Sequence, residues 1–144
     1  MRSLRFSTIG GAFLLLLLWA CSGGPSADSL KHLSGYWEIS GVEFPDGSRK
    51  SYPVNSTVEY FQWDGGVGYR KKVQPTLGGT FLTSDDALAL EVAWRDSRLF
   101  LSFPRAADPW EEEVLELNEN QLITRHSNGL QYEYTRYQPL TNPE

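Results

Sequence analysis

The feature that most constrains this chain is its rhythm from residue 33 onward. Apolar and β-favouring residues come in runs of six to nine, broken at short intervals by Asp46-Gly47, Gly65-Gly66, Gly78-Gly79, Ser84-Asp85-Asp86, Asn118-Glu119-Asn120 and Ser127-Asn128-Gly129. Such breaks are hairpin signals, and no stretch of ten or more residues carries a 3.6-residue period. The spacing predicts strands over residues 35–44, 57–63, 68–74, 76–83, 87–94, 98–103, 111–117, 121–125 and 130–137, with one short helical turn over residues 29–33. The alternation is cleanest where Leu88, Leu90, Val92 and Trp94 share one face and Ala87, Ala89 and Ala93 the other. Burial favours the bulky face inward, which leaves room only for a small cavity near one mouth of the fold. Consecutive hairpins without a crossover helix make an antiparallel meander, and eight to nine strands remove their edges by closing into an up-and-down barrel. An open two-layer sandwich is the other arrangement this strand count permits. Both are all-β, and 144 residues hold one such domain.

The first twenty residues belong to a different physical regime. Arg2 and Arg5 precede an apolar run from Ile9 to Ala20, too short for the roughly 20 residues that a spanning helix needs. This is the pattern of a secretory signal, and Leu18-Trp19-Ala20-Cys21 resembles the bacterial lipobox, although Trp19 stands where smaller residues are usual. The resemblance implies a signal peptide over residues 1–20, lipidation of Cys21 and a membrane attachment through that lipid. Residues 21–29 are small, flexible or helix-breaking and read as a tether. The folded domain is expected over 30–137, with a short tail over 138–144. Ser22 after the cysteine resembles an outer-membrane sorting signal, so the expected location is the bacterial cell envelope, lipid-anchored at the outer membrane.

Charge narrows the partners. The chain has 13 Lys+Arg and 18 Asp+Glu, and without the leader's two arginines the net charge is −7. An acidic body without a long basic block lacks the footprint of a nucleic-acid binder, and no nucleic-acid partner is expected. Its single Cys excludes an internal disulfide framework and a multi-Cys metal site.

Two markers frame the folded part, Gly35-Tyr36-Trp37 near its start and Tyr132-Glu133-Tyr134-Thr135-Arg136 at its end. Together with the strand order and the lipobox, they resemble small lipocalin-like bacterial lipoproteins of the calycin type. In that family a Gly-x-Trp lays an indole across the barrel floor and a late Arg packs over it. The resemblance implies these roles for Gly35, Trp37 and Arg136, and a guanidinium stacked on an indole is physically reasonable there. The long helix that follows the barrel in typical secreted lipocalins is not expected in residues 138–144, which contain Pro139 and Pro143.

The residues offer little for catalysis. No nucleophile elbow, Walker loop, His-x-x-x-His pair or Cys-x-x-Cys is present, so the chain is read as a non-enzyme without metal or cofactor. His32 and His126 read as solvated turn or edge residues, and Asp85 and Asp86 as a turn. Glu111, Glu112 and Glu113 alternate faces in a strand, cannot converge on a metal, and read as a solvated face. Arg70-Lys71-Lys72 is the only basic run. Alternation groups Lys71 with Tyr69 and Val73, opposite Arg70 and Lys72, and if the former face is interior, Lys71 can meet a ligand carboxylate. Tyr69, Lys71, Tyr132 and Tyr134 are the candidate ligand residues. The expected function is an anchored lipoprotein that binds a small apolar ligand. The alternative is a filled barrel that works by contact with an envelope protein, as an inhibitor or assembly accessory.

Overall fold

A computed structural model describes residues 24–139. The stretch expected to be a signal, residues 1–20, and Cys21 lie outside these residues, as does most of residues 138–144. Ten strands follow a single 3-10 turn, Ala27–His32. They are β1 (Gly35–Glu43), β2 (Arg49–Ser51), β3 (Val58–Trp63), β4 (Gly68–Pro75), β5 (Phe81–Thr83), β6 (Leu88–Arg95), β7 (Arg98–Phe103), β8 (Trp110–Leu117), β9 (Gln121–His126) and β10 (Gln131–Arg136). All pairings are antiparallel. The order β10-β9-β8-β7-β6-β4-β3-β1 closes on itself through a β1–β10 pairing that matches Trp37 with Arg136 and Ile39 with Tyr134. Eight strands thus form the expected up-and-down barrel, and the closure excludes the open sandwich.

The two remaining strands depart from the sequence reading. β2 lies between the first two expected strands, in residues 45–56 where none was expected. It pairs with the end of β1 while β3 pairs with its beginning, so β1 has two short neighbours on one side. Arg49 of β2 forms ion pairs with Glu43 and Glu133, which hold this three-residue strand to the barrel wall. β5 is shorter than expected and pairs with the end of β4 beside β6. Local chemistry explains the tight turns. Asp96 and Ser97 both take positive φ, the mirror-image turn that suits a two-residue hairpin between β6 and β7. In the β8–β9 turn Asn118 Oδ1 accepts the Asn120 and Gln121 backbone N–H groups.

Cross-strand register fixes which face is inside. Trp37, Phe61, Leu90, Leu99, Leu101, Phe103, Val114 and Leu122 point inward and form one buried cluster with Leu30 and Leu33 of the entry segment. Leu88 and Val92 pack against that cluster, so the bulky face of β6 is inward, as burial energetics require. The outer face carries a second, aromatic layer. Tyr36 and Tyr60 sit side by side there at 4.7 Å, and the Phe81 ring of β5 stacks on Tyr36 at 4.2 Å, drawing the β4–β5 hairpin against the barrel wall.

The floor is closed by three groups. Trp37 is fully buried and its indole Nε1–H donates to the Leu33 carbonyl at 2.9 Å. The Arg136 guanidinium lies 3.7 Å from the Trp37 ring centroid, and donates to the carbonyls of Ser34, His32 and Glu119. Gly35 has φ +124, and a Cβ there would stand 2.6 Å from Arg136 Nη1, so only glycine lets the guanidinium reach its place.

Candidate functional site

With Trp37 at one end, the register carries Ile39, Tyr134, Tyr132 and Glu112 progressively toward the other. At that mouth the barrel holds a cavity of about 660 Å³. Its walls include Ile39, Asn55, Glu59, Arg70, Lys71, Leu88, Trp110, Glu112, His126, Tyr132 and Tyr134, with the exposed Lys72 and Asp86 also lining it. The cavity lies near a mouth, above the packed cluster around Trp37. Its lining is mixed, however, with ionised groups deep in the wall beside aromatic rings.

The centre of that wall is Arg70, the inward partner of Phe61 and Leu88. Its Nε donates to Glu59 Oε2 at 3.0 Å, Nη1 to Glu112 Oε1 at 2.8 Å and Nη2 to the Tyr134 hydroxyl at 3.3 Å. Glu112 is 1% exposed. Its Oε1 also accepts from Trp110 Nε1 at 3.0 Å and lies 3.1 Å from His126 Nε2, which must carry the hydrogen because a carboxylate only accepts. Burial alone would raise the Glu112 carboxyl pKa. The His126 hydrogen bond and the Arg70 charge outweigh it, with help from the Trp110 N–H, and hold the value at about 2. For Tyr134, burial raises the phenol above its ordinary value, and the Arg70 charge only partly opposes this. The cluster is therefore a charged, hydrogen-bonded network at working pH, with Arg70 compensated by two carboxylates. Two buried oxygens, Glu112 Oε2 and Thr124 Oγ1, have no protein partner.

These positions revise several readings from sequence. Glu112 is not part of a solvated face: it points into the barrel, while Glu111 and Glu113 point out and pair with Arg95 and Arg98. His126 is not a free turn residue. It ends β9 with its ring on Glu112 and Tyr132, 4.9 Å between ring centroids in the latter case. The inward face of β4 is that of Arg70 and Lys72, and Tyr69 lies outward beside Tyr60. Lys71 shares that outward parity, its side chain reaching the cavity rim and coming 6.0 Å from the Tyr69 ring centroid. Tyr132 and Tyr134 line the cavity, whereas Tyr69 is not among the lining residues. Arg70, Glu59, Glu112, His126 and Trp110 were missed. The available signal was the parity of Arg70 with the glycine at Gly68, a small inward residue beneath a long one. Among the described residues no group of three His, Cys, Asp or Glu side chains is arranged to hold a metal ion.

A closed eight-stranded antiparallel meander with a Gly35-x-Trp37 floor and Arg136 stacked on the indole defines a lipocalin-like barrel. Among solved structures, the chain is similar to a lipocalin-like protein from Bacteroides uniformis, at 12% identity and a TM-score of 0.47, over 74% of this chain and 99% of that one. It is also similar to an uncharacterized protein from Bacteroides eggerthii, at 14% identity and a TM-score of 0.46, over 73% of this chain and 99% of that one. No family model and no curated protein sequence matches the chain.

Proposed function

We propose that this protein is a lipid-anchored lipoprotein of the bacterial envelope whose barrel binds a small ligand at its open mouth, without catalysing a reaction. The observation that carries the binding reading is the cavity of about 660 Å³, large enough for a small organic molecule and walled by aromatic rings and a few convergent polar groups. The anchor rests on Leu18-Trp19-Ala20-Cys21 and the small-residue tether that follows. Outer-membrane placement rests on Ser22.

Native mass spectrometry of the full chain purified from its own host tests the binding reading. A retained small molecule, displaced when Leu88→Trp fills the cavity wall, is the expected result. A bare protein mass in wild type, under conditions that preserve the fold, would overturn it. For the anchor, Cys21→Ser should leave unacylated precursor in place of the mature lipoprotein. Normal processing after Ala20 together with unchanged membrane extraction would contradict lipidation. The densely filled lower barrel favours a second reading, a protein-interaction lipoprotein that uses its outer surface.

A further inference from the structure

Of the charged groups that line the cavity, Arg70, Lys71 and Lys72 are matched in number by Glu59, Asp86 and Glu112. The deep charges are also closed on one another. Arg70 donates through Nε to Glu59 at 3.0 Å, through Nη1 to Glu112 at 2.8 Å and through Nη2 to the Tyr134 hydroxyl at 3.3 Å. Glu112 is sealed within the wall at 1% exposure, whereas the side chains of Arg70 and Glu59 keep 11% and 14% exposed. Glu59 thus covers Arg70 where a ligand carboxylate would pair with it. An entering anion has to displace Glu59 or lie beside two like charges in a poorly solvated site, and an entering cation has to draw Glu59 away from Arg70. The lysines leave this balance unchanged. Lys71 has outward parity and its ammonium lies 6.0 Å from the outward Tyr69 ring, while Lys72 and Asp86, of opposite sign, are both exposed, where solvent and salt screen them. For an uncharged head group the cavity offers partners that need no charge: the hydroxyls of Tyr132 and Thr57, and Asn55 Oδ1, whose amide nitrogen is committed to the Ile39 carbonyl at 2.6 Å. Half-buried Ile39, Leu88 and Trp110 line the same space and suit an apolar body.

We infer that Glu59 is the specificity-determining residue of the cavity: its carboxylate takes the place on Arg70 that a ligand carboxylate would fill, so the site accepts uncharged amphipathic molecules with a hydroxyl head and rejects small ions of either sign. This rests on the ligand-binding reading above and specifies its chemical class. The test uses three isosteric probes, 3-phenylpropanol, 3-phenylpropanoate and 3-phenylpropylamine, titrated into the full chain by calorimetry at neutral pH. In wild type the alcohol should bind about tenfold more tightly than either ionised compound, because each of these disturbs a satisfied buried pair. Glu59→Gln keeps the shape and removes the charge, leaving Arg70 with Glu112 alone, and should shift the ratio of alcohol to carboxylate affinity by about tenfold toward the carboxylate. Thermal melts show whether the variant is folded, and the order of the three probes in wild type decides the matter if it is not. Binding of the carboxylate or the amine as tightly as the alcohol in wild type would overturn the selectivity and leave ligand binding intact. An unchanged ratio in a folded Glu59→Gln variant would overturn the role of Glu59. Saturation by none of the three would contradict the binding reading itself, and the selectivity with it.

Discussion

At the residue scale the decisive group is Glu112, a carboxylate kept ionised in the barrel interior. A buried ion pair is weak evidence of net stabilisation, because desolvation offsets most of the attraction, but removing one partner leaves the other charge stranded. The sign of the pH dependence follows from the depressed folded-state value. A carboxyl at about 2 in the native state and 4.5 in the unfolded chain binds fewer protons when folded at intermediate pH. Its contribution is present above roughly pH 5 and is lost as pH falls toward 2, in total on the order of 3 kcal/mol. Urea denaturation of wild type between pH 7 and 2.5 should show this acid limb, and Glu112→Gln should flatten it. A variant with the same acid limb as wild type would remove Glu112 as its source. Arg70→Met should cost about 3 to 5 kcal/mol at pH 7, and the Arg70→Met/Glu112→Gln double variant should be less destabilised than the sum of the two single changes. Strict additivity would contradict the pairing.

At the element scale two devices hold the barrel in shape. The floor is a hub: Trp37 ties the entry segment to β1, and Arg136 ties that segment to the β8–β9 turn through three carbonyls. Trp37→Ala should lose about 3 to 5 kcal/mol, as a large side chain removed from a full core does. A denaturation midpoint equal to wild type would contradict a buried floor. The second device is the β4–β5 hairpin, fastened by the Phe81 ring between Tyr36 and Tyr137. Phe81→Ala should cost about 1 kcal/mol and speed amide exchange across residues 76–83, leaving β7 to β9 unchanged. Uniform loss of protection through the barrel would mean that the hairpin is part of the global folding unit instead.

This hairpin also explains where sequence reading stopped. Alternation correctly placed Leu88, Leu90 and Val92 inside, where they belong to or pack against the buried cluster. On β4 the same rule misleads. Val73 is buried and Tyr69 partly so, which makes their face look internal, yet Val73 pairs with Val58 outside the main cluster and Tyr69 belongs to the outer aromatic layer. Parity of apolar residues reports burial, not which side of the wall provides it. Glu112 and His126 were illegible for another reason. An inward carboxylate is tolerable only because Arg70, 42 positions away, closes onto it after the barrel forms. β2 escaped because three residues beside Pro45 and Pro53 carry too little pattern to distinguish a strand from a turn.

At the scale of the whole molecule the barrel is divided along its axis, with a packed lower half around Trp37 and an open, charged and aromatic upper half around Arg70. That division is the central claim, since a barrel filled throughout has no place for a ligand. Trp37 and Trp110 report on the two halves separately, each with its indole N–H in a defined hydrogen bond, to Leu33 O and to Glu112 Oε1 respectively. The most direct measurement is the nitrogen-15 correlation spectrum of the indole N–H groups in the full chain, titrated in turn with 3-phenylpropylamine, 3-phenylpropanol and 3-phenylpropanoate. The expected result is a saturable shift of the Trp110 signal by whichever compound binds, with the Trp37 signal unmoved. A Trp110 signal indifferent to all three, or one that moves only in step with Trp37 as the fold loosens, would contradict that division.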